Sequence, residues 1–152
     1  MVSSCFLHTA STSADDPRFE MLTRAPTLVV ECGAALLPVL REVYDSFVNP
    51  SVRKKCLAAM RRMLYNAPAD SLDALLPAPA AAALVATLLS SSSSGTIIAG
   101  VQIAYILMEK RPGVYARALE REGVVHEMRK LAEAKGDGEA GVCGVYIESV
   151  GR

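Results

Sequence analysis

The 152 residues include no tryptophan, three phenylalanines and five tyrosines. Without aromatic filling a β-sandwich or barrel is disfavoured, and core positions fall to Ala, Leu, Val and Met, residues that suit helices. Net charge is absent too, with sixteen Lys and Arg against sixteen Asp and Glu. That balance argues against a dedicated nucleic-acid or anionic-membrane binder and leaves only local patches to consider. Histidine is limited to His8 and His126, and the four cysteines, Cys5, Cys32, Cys56 and Cys143, lie far apart with no C-x-x-C pair. This spacing disfavours both a zinc site and a disulfide framework, so no metal or other cofactor is expected. Reduced, mostly buried thiols in an intracellular protein are expected instead. The start, MVSSCFLHTASTSADDP, has neither the basic leader nor the apolar run of a signal peptide. A long uninterrupted apolar run is also missing. Residues 74–108 contain no charge, but Pro77, Pro79, the serines 90–94 and Gly95 divide them. The two pieces of about a dozen residues fall short of the roughly 20 that span a bilayer, so no membrane partner is expected.

What is present is apolar surface in quantity, 51% hydrophobic residues against 21% charged. Such a chain folds, and 16.1 kDa fits one compact domain or a section of a larger array. From Gly33 onward Leu36, Leu37, Leu40, Val43 and Tyr44 recur at the three-and-four spacing of one helix face. Asn49 followed by Pro50 forms a cap and first-turn pair for a second helix reaching Tyr65. Its apolar stripe is Val52, Cys56, Leu57, Met60, Met63 and Leu64. Short helices follow over 71–76 and 80–89. A helix over 96–110 is apolar almost all round and must be covered on most sides. Pro112 ends it, and two further helices over 114–122 and 124–134 flank Gly123.

Sliding the sequence by 44 residues brings Leu40 onto Leu84, Tyr44 onto Leu88, Leu57 onto Val101, Leu64 onto Met108 and Pro68 onto Pro112. A period of 40–47 residues with two or three helices marks armadillo and HEAT units, which bury their apolar faces on one another. The expected fold is therefore all-α, an armadillo/HEAT-like α-solenoid of about two repeats over 33–134. Residues 1–32 form a poorly defined leader and 135–152 a loose, glycine-rich tail. Two repeats read as a section of a longer array.

Enzymatic motifs fail on context. Gly136, Gly138 and Gly141 match G-x-G-x-x-G, but they follow a helix instead of a strand. Cys56 lies on an apolar stripe, nothing fixes Cys143 against His126, and the acidic pairs Asp15/Asp16 and Glu120/Glu122 lack partners for acid–base work. No catalytic residue is assigned. One surface feature stands out: Arg53, Lys54, Lys55, Arg61 and Arg62 occur with no acid between Asp45 and Asp70. On a 100° wheel Lys54 and Arg61 stack opposite the apolar stripe with Lys55 and Arg62 beside them, so these four share one solvated face. Arg53 falls on the apolar side, its stem along the core. Lys54, Lys55, Arg61 and Arg62 are the candidate partner-binding residues, for an acidic protein surface ahead of nucleic acid.

The segments LLPVLREVYDS (36–46), VNPSVRKKCLAAMRRMLY (48–65), APADSLDALL (67–76) and LEREGVVHEMRKLA (119–132) resemble the armadillo-type region of HECT E3 ubiquitin ligases, in the thyroid-receptor-interacting and ubiquitin-fusion-degradation branch. The resemblance covers residues 33–134. It implies a non-catalytic module that docks protein substrates, including ubiquitinated ones, with ubiquitin itself a partner, while a separate HECT domain carries thioester chemistry on its own cysteine. Nuclear and cytoplasmic protein turnover is the implied setting. No HECT domain lies in these residues, so none of the four cysteines inherits that role. The alternative is a free-standing helical scaffold or adaptor without ligase activity.

Overall fold

The structure, a computed structural model, describes residues 24–135, and every regular element among them is a helix. The tail glycines, Cys5, His8 and Cys143 lie outside the described residues, as does most of the leader.

Helix α1 (Pro26–Ser46) begins well ahead of Gly33, so the expected boundary between leader and repeats falls inside a helix. Pro26 occupies the first turn, where a missing N–H has no intrahelical partner to lose. Gly33 does not start the helix. It lets Leu75 approach, whose Cδ2 would lie 3.1 Å from an added Cβ. A second proline, Pro38, sits inside α1 and removes the N–H that would bond the Ala34 carbonyl. Helix α2 (Pro50–Asn66) starts as the sequence dictates: the Asn49 side chain accepts the Ser51 N–H at 2.9 Å. A 3₁₀ turn (Ala69–Ser71) leads into the single-turn α3 (Leu72–Leu75), then α4 (Ala78–Leu89), α5 (Ser94–Lys110), α6 (Pro112–Arg121) and α7 (Val124–Lys135).

Prolines account for the shifted boundaries. Pro79 and Pro112 stand in the first turns of α4 and α6, so these helices start at residues 78 and 112, and Pro112 opens one helix as much as it closes another. The last serine of the run, Ser94, is already helical. Gly123 ends α6 at φ 74°, its N–H bonding the Glu120 carbonyl at 3.0 Å while Glu122 bonds Ala118 at 3.1 Å. This left-handed closure suits glycine because it has no Cβ to clash.

The 44-residue shift survives in three dimensions. Helices α2 and α5 are both 17 residues long and begin at residues 50 and 94. Helix α1 packs on α2, α4 packs on α5, and α2 packs on α5, so helices of the same rank stack. Gly100 permits the α4–α5 approach, since an added Cβ would lie 2.8 Å from Leu88 Cβ. Leu64, Leu72, Leu88, Ile103, Leu107, Tyr115, Leu119 and Met128 are wholly buried. Each contributes on the order of 1.5–3 kcal/mol, less for any burial kept in the unfolded chain.

Polar side chains cross the seam between the two units. Arg41 Nη1 donates to the Ala80 carbonyl at 3.3 Å and Tyr115 Oη to the Leu76 carbonyl at 2.9 Å. Arg111 Nη1 pairs with Asp70 at 3.1 Å. Lys110 Nζ reaches the carbonyls of Leu64 at 3.2 Å and Ala67 at 2.6 Å, and that of Tyr65 as well. The partners in these bonds stand 39 to 46 residues apart, about one repeat. Among the described residues no single helix is long and apolar enough to cross a membrane, and residues 69–75 with 78–89 pass that test only as a pair bent by 78°.

Candidate protein-binding surface

The basic cluster sits on α2, whose buried face is Cys56, Leu57, Met60 and Leu64, with Val52 and Met63 partly covered. That stripe turns Lys54, Lys55 and Arg62 to solvent, and all three are exposed. Arg61 departs from the expectation of one solvated face. It is half-buried and donates through Nη1 to Gln102 Oε1 on α5, across the seam. Burial lowers its pKa, and neighbouring Arg62 adds to the effect. Arg53 lies as its wheel position suggests, with its guanidinium carbon 4.3 Å from the centroid of the Tyr44 ring. Its Nε is buried without a hydrogen-bond partner, so the aromatic face carries the stabilisation of that charge.

Comparing α2 with α5 at the 44-residue shift divides the cluster. Lys54 and Tyr65 correspond to Ile98 and Glu109, and all four are exposed, so this surface is open in both units. Lys55 and Arg62 correspond to Ala99 and Ile106. Ala99 is half-buried and Ile106 is 1% exposed. The four candidates therefore lie on two surfaces: Lys54 with Arg61 toward the open α2–α5 face, and Lys55 with Arg62 on the side that the second unit keeps covered. Sequence reasoning missed Tyr65, Ile98 and Gln102 as members of the open face. The repeat shift was the signal that could have found them.

Helix α1 also differs from expectation. Leu37 and Tyr44 are buried, but Leu36, read as part of the same stripe, is 48% exposed. Leu28, Cys32, Val39 and Phe47 are exposed with it. The expectation of mostly buried thiols thus fails at Cys32, because α1 is apolar on two sides and only one meets α2 and α3. Cys56 is buried, and His126 is exposed. Among the described residues no three His, Cys, Asp or Glu side chains gather as a metal site would require. Between the units lies an apolar cavity of about 190 Å³, lined by Leu37, Pro38, Met60, Leu64 and Leu84 among others, with Arg41 in its wall.

No family model matches the sequence, and no solved structure is significantly similar to it. Similar proteins are nevertheless known. The chain is 37% identical over 121 residues to the E3 ubiquitin-protein ligase TRIP12 of Danio rerio, a stretch covering 80% of the chain and 6% of that protein. It is 33% identical over 115 residues to the E3 ubiquitin-protein ligase UPL3 of Arabidopsis thaliana, covering 76% of the chain and 6% of the relative. With UPL4 of the same plant the identity is 26% over 110 residues, 72% of the chain and 7% of the relative. The chain thus spans only a small fraction of the length of these relatives. Within that span it is homologous to one region of the TRIP12-type HECT E3 ubiquitin ligases.

Proposed function

We propose that the chain is an armadillo-like, non-catalytic docking module that brings protein substrates, ubiquitinated ones included, to a HECT-type ubiquitin ligase. Nuclear or cytoplasmic protein turnover is its setting. The observation that carries this reading is the homology to TRIP12 and UPL3 over three quarters or more of the chain, since both relatives are E3 ubiquitin-protein ligases. The armadillo assignment is supported by a stack of equal helices 44 residues apart, with a 17-residue helix in each unit. An array of this kind presents an extended lateral surface to a partner. Here that surface includes Lys54, Tyr65 and Ile98, with the Arg61–Gln102 bond between them. Lys54 on the α2 half would speed the approach of an acidic chain, while exposed Glu109 on the α5 half opposes it and so orients the acidic part toward α2.

The test is a pull-down of ubiquitin, ubiquitinated acidic protein and unmodified acidic protein by the whole chain. The variant combines Lys54→Glu, Lys55→Glu and Arg62→Glu with Arg61→Gln, which still offers Gln102 a hydrogen-bonding side chain. Binding is expected to fall about tenfold or more, with helical circular dichroism and melting retained. Unchanged binding of all three baits would reject the basic surface. Loss of the fold would move the comparison to the Lys54→Glu single variant, whose side chain is exposed.

A further inference from the structure

We propose that the outer face of the first unit, formed by α1 and the Lys55–Arg62 side of α2, is a docking surface for one more helical unit of the same solenoid. That unit is apolar along its ridge and acidic opposite Lys55 and Arg62. The inference rests on the stacked-repeat reading of the fold and not on the recruitment of substrates.

The second unit displays the covered form of this surface. On α5, Ile103, Ile106 and Leu107 are 0 to 1% exposed, and, standing seven, four and three residues before Lys110, they share the helix side from which Lys110 bonds the end of α2. Shifted back by 44 residues, these positions are Ala59, Arg62 and Met63. Arg62 is exposed, and Ala59 and Met63 are half-buried. Residue 110 repeats the pattern. Lys110 reaches back to the carbonyls that end α2, whereas its counterpart Asn66 stays on its own helix and donates to the exposed Arg62 carbonyl at 2.7 Å.

Helix α1 extends the same surface. Ala80 and Leu84 of α4 meet α1 through the Arg41 bond and the shared apolar cavity. Their counterparts on α1 are Leu36, 48% exposed, and Leu40, partly buried. Leu28, Cys32, Leu36 and Val39 recur at helical spacing and form an exposed apolar stripe on α1. The stripe has exposed Glu31 and Glu42 along one edge of α1, while Lys55 and Arg62 stand on α2, so an amphipathic helix pair fits with its acidic flank on the α2 side. A second copy of the chain docked through the same face would set Lys55 and Arg62 against their own equivalents, which charge repulsion opposes.

Cys32, exposed on the stripe, reports occupancy. The whole chain is titrated with a hydrocarbon-stapled helix bearing a leucine ridge and glutamate flanks, and separately with a lysine-flanked helix of identical ridge. Alkylation of Cys32 is followed by peptide mass spectrometry. The glutamate helix is expected to slow Cys32 labelling about tenfold at saturation and the lysine helix to have little effect. Lys55→Glu with Arg62→Glu is expected to reverse that preference, whereas Lys54→Glu leaves it unchanged. Equal protection by both helices would overturn the charge assignment, and protection by neither would overturn the docking surface. Concentration-dependent dimers in sedimentation, abolished by Leu36→Glu, would identify a second copy as the occupant and refute the proposal. Lys54→Glu alone leaves Cys32 labelling unchanged, and the Lys55→Glu, Arg62→Glu pair alone is read by it, so a pull-down of Lys54→Glu and the labelling of the pair let the recruitment surface and the docking face fail separately.

Discussion

Lys110 provides the sharpest test of how the two units are joined. Its ammonium sits at the end of α2, where the last turn leaves carbonyls without intrahelical donors. The Met63 carbonyl is taken by the Ala67 N–H at 2.9 Å, while those of Leu64, Tyr65 and Ala67 receive Lys110. Lys110→Met keeps most of the aliphatic stem and deletes the charge. A hydrogen bond from a charged donor contributes about 1.5–3 kcal/mol, and a cation at a helix C-terminus about 0.3–1 kcal/mol. Two effects pull the sum down. Burial opposes the charge and lowers the Lys110 pKa, with Glu109 partly offsetting it, and water can hydrate carbonyls freed at this half-exposed edge. The expected net loss is about 2 kcal/mol, which lowers Tm by roughly 8 °C in a domain of this size. Urea unfolding by far-ultraviolet circular dichroism measures it, with Lys130→Met as comparator. Lys130 makes only an exposed ion pair with Glu127 at 3.2 Å, three residues away, and its loss should cost about 0.3–0.5 kcal/mol. Amide exchange should quicken in the last turn of α2 although the substitution lies on α5. If Lys110→Met and Lys130→Met are equally mild, the carbonyl staple contributes nothing and the reasoning fails.

Two further substitutions probe the same seam. Tyr115 is wholly buried and donates to Leu76, and burial, with Asp73 adding and Arg111 opposing, raises its pKa to about 12. The folded state therefore holds this proton more tightly than the unfolded chain. Its contribution is fully present below pH 10 and is lost between pH 10 and about 12, at most about 3 kcal/mol in all. Lys110, whose pKa is lowered from 10.5, acts in the opposite sense just below that value, so the Tyr115→Phe difference curve isolates the phenol. A flat difference across that window would contradict the assignment. Gly100→Ala should destabilise by about 1–3 kcal/mol, because its Cβ would meet Leu88 Cβ at 2.8 Å, whereas Gly113→Ala, which meets nothing within 4 Å, should be nearly neutral. Chemical denaturation of the pair decides, and equal effects would remove Gly100 from the α4–α5 packing argument.

Local physics made much of this architecture legible. Asn49 and Pro50 announce α2 because a side-chain cap and a fixed φ act within one turn, and the α2 stripe from Val52 to Leu64 lies inward as its spacing requires. The 44-residue shift was readable because equal helices in a stack meet equal environments, so the sequence repeats its apolar positions. What stayed hidden depended on partners one repeat away. Nothing near Arg61 signals Gln102, and nothing near Lys110 signals the end of α2. The periodicity from Gly33 onward does not show the start of α1, because Pro26 opens the helix in its first turn ahead of the regular stripe. Leu36 was assigned inward because spacing cannot tell which of two apolar faces has a neighbour within the described residues. The candidate site was legible as a cluster of charge but not as two surfaces.

That division governs how any charge variant of α2 must be interpreted. Reversing all four cations changes an open face, an outer stacking face and a bond that ties α2 to α5. Arg61 belongs to the last category: it is half-buried, its pKa is lowered by desolvation, and Gln102 is its partner. Glutamate at position 61 would remove the Arg61 donor across the seam and place an anion at a half-buried position, costing stability before any binding was measured, on the order of 1–3 kcal/mol. A weakened pull-down by a fourfold Glu variant therefore does not distinguish lost recognition from a loosened seam. Lys54→Glu alone reports the open face and Lys55→Glu with Arg62→Glu the outer face, because all three side chains are exposed. A binding loss confined to Lys54→Glu places the acidic partner across α2 and α5. A loss confined to the other pair places it against α1, where a helical neighbour and a substrate would compete for the same two cations.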